Sequence, residues 1–147
     1  MHYDNPNFLI VRQQAASGTF SASAASTAFV GTTLKVYTKA AVLGVTFVMA
    51  SGGSAGGDNT IAVARIASGE TTASIFQAQT CTIQKTTSAA GDVFDISLTT
   101  PMTLTTVKDK AVLAAGAATL ADKGGVISDV MWRYRILPKL TEKNETR

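Results

Sequence analysis

Only one histidine, one cysteine and one tryptophan occur among the 147 residues, and each scarcity closes off a class of chemistry. The histidine, His2, stands in the opening segment, where nothing holds an imidazole within hydrogen-bond reach of a reacting proton. Cys81 has no second cysteine for an intramolecular disulfide or a cysteine-based zinc site. In the run Thr80-Cys81-Thr82-Ile83 it reads as a small core residue. Charge is scarce too: 16% of residues are charged, against roughly 25% in an ordinary domain. The surface must therefore be largely neutral Thr, Ser, Ala, Gln and Gly, which repels little and associates readily. Long apolar runs are missing as well. The longest, residues 40–50, is interrupted by Gly44 and Thr46 and falls short of the ~20 residues a membrane helix needs, so no membrane partner is expected. The opening residues lack a basic and then an apolar stretch, so no secretory signal is expected and the protein would be made and assembled inside a cell.

Charge is unevenly placed. Up to Val107, Arg12, Lys35, Lys39, Arg65 and Lys85 balance Asp4, Asp58, Glu70, Asp92 and Asp95. The whole excess of +3 comes afterwards, where Lys108, Lys110, Lys123, Arg133, Arg135, Lys139, Lys143 and Arg147 outnumber five acids. This is too dilute for a nucleic-acid footprint, which needs a dense basic stripe with aromatic residues interleaved. It suits a polar tail that meets a mildly acidic neighbour.

What the chain does have is strand periodicity. Leu34, Val36 and Thr38 alternate with Lys35, Tyr37 and Lys39, and Val45, Phe47 and Met49 alternate with Thr46, Val48 and Ala50. Ile61 and Val63 continue across residues 51–59, a glycine-rich stretch that reads as a hairpin tip. Turns are predicted at Ser68-Gly69-Glu70 and at Ala89-Ala90-Gly91-Asp92. Between them residues 73–85 form a Gln- and Thr-rich strand. After the second turn Phe94, Ile96 and Leu98 share one face, opposite Val93, Asp95 and Ser97. Pro101 belongs at an edge or turn, because it cannot donate to a ladder. Residues 103–107 and 111–115 are candidate short strands, and residues 111–122 are also the one helix candidate, being alanine-rich. In the last strand Val126, Ser128, Val130, Trp132, Tyr134 and Ile136 face one way and Ile127, Asp129, Met131, Arg133 and Arg135 the other. Many short strands with glycine turns predict an all-β fold, an antiparallel β-sandwich with the jelly roll as leading form. The expected division is an extended N-terminal arm and low-complexity connector over residues 1–32, the sandwich over 33–138, and a short polar C-terminal tail over 139–147.

The candidate chemistry is thin. Gly52-Gly53-Ser54-Ala55-Gly56 matches the nucleophile-elbow pattern, but no helix and no histidine follow it, so a loop is the better reading. No acidic run has calcium-loop spacing, and Asp92 and Asp95 read as surface carboxylates. No enzymatic activity, cofactor or metal is expected. Trp132 and Tyr134 read as core, while Tyr37 between Lys35 and Lys39 reads as a candidate binding patch. The apolar run Phe8, Leu9, Ile10 and Val11, followed by Arg12, would suit pairing with another chain's sheet edge; the competing reading is a first strand in the protein's own sheet. Lys139 and Lys143 are second contact candidates.

The polar opening Asp4-Asn5-Pro6-Asn7-Phe8, the Ala/Ser/Thr-rich connector, the turn Ala90-Gly91-Asp92 feeding a strand, and the closing Val130-Met131-Trp132-Arg133-Tyr134-Arg135-Ile136-Leu137-Pro138 resemble, over most of the chain, small decoration or cement proteins of tailed-bacteriophage capsids. The resemblance implies a sandwich or jelly-roll subunit, a homotrimer, on the outer surface of the virion, after synthesis in the host cytoplasm. There it would bridge major capsid protein subunits, and no catalytic residues carry over. The alternative is a head-fibre, tail or baseplate module that binds host-surface carbohydrate, with Tyr37 and Trp132 as its only platforms.

Overall fold

In a computed structural model the described residues are 9–19, 28–29, 31–51, 59–83, 88–106, 108–116 and 126–137. They form eight strands: β1 (Leu9–Thr19), β2 (Leu34–Lys35), β3 (Ala40–Ser51), β4 (Asn59–Ile66), β5 (Ser74–Ile83), β6 (Val93–Leu104), β7 (Lys110–Ala115) and β8 (Val126–Ile136). There is no helix among the described residues. The strands build two antiparallel sheets, ordered β1-β8-β3-β6 and β2-β7-β4-β5. The expected all-β, antiparallel sandwich is what the chain adopts. Each strand of the first half pairs with its counterpart from the second, β1 with β8, β2 with β7, β3 with β6 and β4 with β5.

One core fills the space between the sheets. Val42, Val45, Phe47, Ile96, Met102, Val130 and Trp132 from the first sheet meet Leu34, Ile61, Val63, Leu113 and Ala115 from the second. At roughly 25 cal/mol per Å² of apolar surface, each large side chain here contributes about 1.5–3 kcal/mol. Trp132, fully buried, also ties the sheets together: its indole N–H donates to the Thr32 carbonyl oxygen at 2.9 Å. The Thr32 hydroxyl donates to the Phe29 carbonyl at 2.8 Å and accepts the Leu113 N–H at 3.1 Å, so this buried polar residue stands in for a rung of the β7 ladder.

Several expectations need correction. Of the two readings of residues 111–115 the short strand holds and the helix does not: they belong to β7, and the rest of the helix candidate, apart from Gly116, lies outside the described residues. Residues 51–59 do not close a hairpin, because Ser51 ends β3 in one sheet and Asn59 opens β4 in the other. The two-face assignment of the last strand fails at Ile127, which is buried, because the pairing register shifts around Ser128 and moves the inward set from odd to even positions. Ile136 is on the expected parity yet 52% exposed, since it lies at the strand's end. The span 1–32 is not arm and connector throughout. Leu9–Thr19 pairs antiparallel with β8, so the sheet begins at Leu9 rather than near residue 33.

Other expectations hold. Pro101 lies in β6, the outer strand of its sheet. The turns at Gly69 and Gly91 have φ of 85° and 88°, closed by Glu70 N–H to Ala67 O and by Asp92 N–H to Ala89 O.

Candidate functional site

The strand directions sort the connections to two ends of the sandwich. At one end are residues 36–39 between β2 and β3, 67–73 between β4 and β5, and 105–109 between β6 and β7. Leu9, opposite Tyr134, and Leu137, whose N–H donates to the Lys39 carbonyl at 2.9 Å, stand at this same end. Segments 1–8 and 138–147 are therefore both attached here.

This end carries the most exposed large hydrophobic side chain among the described residues. Tyr37 is 92% exposed, because Leu34 and Val36 take the inward positions and leave Tyr37 on the outward parity between Lys35 and Lys39. Ile136 ends β8 nearby, opposite Ala40. The loops beneath are held by Asp109. Its buried carboxylate accepts Thr105 N–H and Oγ1–H, both at 2.8 Å, and Ser68 N–H at 3.0 Å. Burial alone would raise its pKa; the hydrogen bonds from Thr105, Ser68 and Thr106 outweigh that and bring it from an ordinary 3.8 down to about 2. An ionised Asp109 thus joins the β4–β5 and β6–β7 loops.

A second polar group lies on the outer face of the first sheet. Arg133 donates from Nη1 to Asp95 Oδ1 at 2.7 Å and to Thr46 Oγ1 at 2.6 Å, and from Nη2 to Ser97 Oγ at 3.1 Å. The Thr46 and Ser97 hydroxyls each donate in turn to Asp95, at 2.6 and 2.7 Å. Burial raises the Asp95 pKa, but Arg133, Thr46 and Ser97 more than reverse it, so the carboxyl lies below its usual range. Gly44 makes room: a Cβ there would lie 2.5 Å from Arg133 Nη2 and 2.6 Å from the Ile96 carbonyl oxygen. The carboxylate and both hydroxyls are taken up by one another and by Arg133, so the group clamps β8, β3 and β6 and has no free base for catalysis.

The remaining sequence candidates are placed as follows. Leu9, Ile10, Val11 and Arg12 stand opposite Tyr134, Arg133, Trp132 and Met131 in the protein's own sheet. Phe8, Lys139, Lys143 and the Gly-x-Ser-x-Gly stretch lie outside the described residues. Trp132 is fully buried, which removes it as a carbohydrate platform. Asp92 closes its own turn by accepting Ala89 N–H at 2.6 Å. Cys81 packs against the core, and burial, with the Asp95 charge, pushes its thiol up to about 12, so it is no nucleophile at neutral pH. Asp109 and Ile136 were missed by sequence reasoning. The first looks like any loop aspartate, and the second differs from core isoleucines only in where its strand ends. Among the described residues no group of three or more His, Cys, Asp or Glu could hold a metal ion, and no helix is long and apolar enough to cross a membrane. Compared with protein-family models, with curated proteins and with solved structures, the chain matches none.

Proposed function

We propose that the chain is a structural protein of a virion. It binds the outside of a bacteriophage capsid as a homotrimer and stabilises the shell by bridging major capsid protein subunits, without catalysis. The observation that carries this reading is the gathering, at one end of a sandwich, of exposed Tyr37 and Ile136 with the attachment points of both terminal segments. A large exposed tyrosine flanked along the chain by Lys35, Thr38 and Lys39 has the composition of an interface anchor. Two terminal segments leaving from one place can reach neighbouring subunits and add contacts through effective concentration. The mirror-like strand pairing supports a jelly-roll winding, in which a long hairpin folds over into two Greek keys. The resemblance to decoration proteins supplies the capsid.

Purified full chain mixed with expanded and unexpanded heads tests the reading by co-sedimentation. Stoichiometric retention on expanded heads is expected, with Tyr37→Ala lowering affinity by about tenfold or more. Removing residues 1–8 is the proper truncation, because a cut through Arg12 would also take four rungs off the β1–β8 ladder. No retention on heads would overturn the reading. The carbohydrate-binding alternative now has Tyr37 alone as platform; retention on host-surface glycans, with Tyr37→Ala abolishing it, would establish that alternative instead.

A further inference from the structure

The register at the same end places Lys35 directly opposite Lys110 in the β2–β7 pair. Directly opposed residues share a sheet face with Cβ atoms roughly 5 Å apart, and like charges there are destabilising. No carboxylate forms an ion pair with either lysine among the described residues. Lys39, Lys108 and Arg135 stand around the same end. Lys39 is held next to the end of β8 by its carbonyl's bond to Leu137, and Arg135 is opposite Ala41. The acid that sequence places between Lys108 and Lys110 makes no ion pair with them among the described residues. Asp109 is buried with its carboxylate taken up by loop N–H and hydroxyl groups. Glu70 is the one exposed carboxylate described at this end. Asp92, Asp95 and Asp129 stand from the middle of the strands to the far end, opposite or beside Met49, Thr46 and Val48. The fold thus gathers cations that are scattered along the chain and turns the nearest acid inward. A like-charge pair with no ion-pair partner, closing a ladder of only two residue pairs, is where a local rule gives way to function.

We infer that this end of the sandwich is a docking face for a carboxylate-rich protein surface, with Tyr37 as the apolar anchor and Lys35, Lys39, Lys108 and Lys110 as the charged surround. A protein partner fits better than nucleic acid. The cations share this end with one tyrosine and one isoleucine rather than with a row of stacking aromatics. The inference supplies the partner chemistry for the capsid reading and rests on it only for the partner's name.

The test uses the purified full chain and immobilised poly-L-glutamate, with double-stranded DNA of matched charge as the second probe and expanded heads as the third. Binding to poly-L-glutamate at about 50 mM salt is expected, weakened by about tenfold or more in Lys35→Glu/Lys110→Glu and lost on raising salt, which screens exposed charge. Lys35→Gln, which removes one charge of the opposed pair, is expected to bind several-fold more weakly while melting no lower than the parent. That variant keeps the test valid if the double exchange fails to fold. Unchanged binding by folded variants, or tighter binding to DNA than to poly-L-glutamate, overturns the inference. Heads bound equally well by parent and charge-exchanged protein would sink this inference and leave the capsid reading standing. Poly-L-glutamate bound, with heads ignored, would do the reverse.

Discussion

Asp109 shows how much one side chain can hold at this end. Its carboxylate is ionised in the folded protein down to about pH 2, while in the unfolded chain it titrates near 3.8. The unfolded state therefore takes up the proton first as pH falls, and the stabilisation, complete above about pH 5, is lost progressively as pH drops through 3.8 toward 2. Asp109→Asn retains one acceptor oxygen and aims an amide N–H2 at groups that are themselves donors. It should cost about 1–3 kcal/mol at pH 7. In urea titrations that deficit should shrink as pH falls from about 5 to about 2; a gap constant over that range would show that the charge is not what matters. Nothing in the sequence distinguishes this aspartate from Asp92, which lies in a similar glycine- or lysine-flanked loop. What separates them is Ser68, 41 residues away and brought over by the second sheet.

At the scale of the element, β3 is the instructive case. Its inward set runs Ala40 and Val42, then Val45, Phe47 and Met49, and the change of parity is absorbed at a bulge between Val42 and Gly44. The alternation after the bulge was legible because Thr46 and Ala50 break it visibly. The bulge was not, since residues 40–45 are apolar on both parities apart from Gly44. For the same reason β7 reads as either strand or helix: Ala111, Leu113 and Ala115 face the main core while Val112 and Ala114 join a second small cluster with Ala64 and Ala73. A strand buried on both faces loses its period-2 signature and becomes a short apolar run. Gly44→Ala places a methyl against Arg133 and the Ile96 carbonyl and should destabilise by about 1–3 kcal/mol, read as a lower urea midpoint with unchanged slope. A Gly44→Ala protein as stable as the parent would mean that the β3–β6 spacing relaxes freely.

For the molecule as a whole, the fold class was legible from strand spacing, but the order of strands was not, because β1 meets β8 across more than a hundred residues. A hairpin was expected over residues 51–59, whereas β3 and β4 lie in different sheets. Such distant pairings delay folding relative to local ones, and millisecond-to-second kinetics are expected. Both sheets share one core, and the only tryptophan lies in it, bonded across to Thr32. Trp132 fluorescence and far-ultraviolet circular dichroism should therefore report the same thermal midpoint. Two separated transitions would mean that the sheets melt independently. A tag or reporter inserted directly before Leu9 or directly after Leu137 is tethered at the pole that holds Tyr37 and the Lys35–Lys110 pair, and so competes for space with whatever lands there. A passenger spliced between β5 and β6, at the antipode, would ride clear of it.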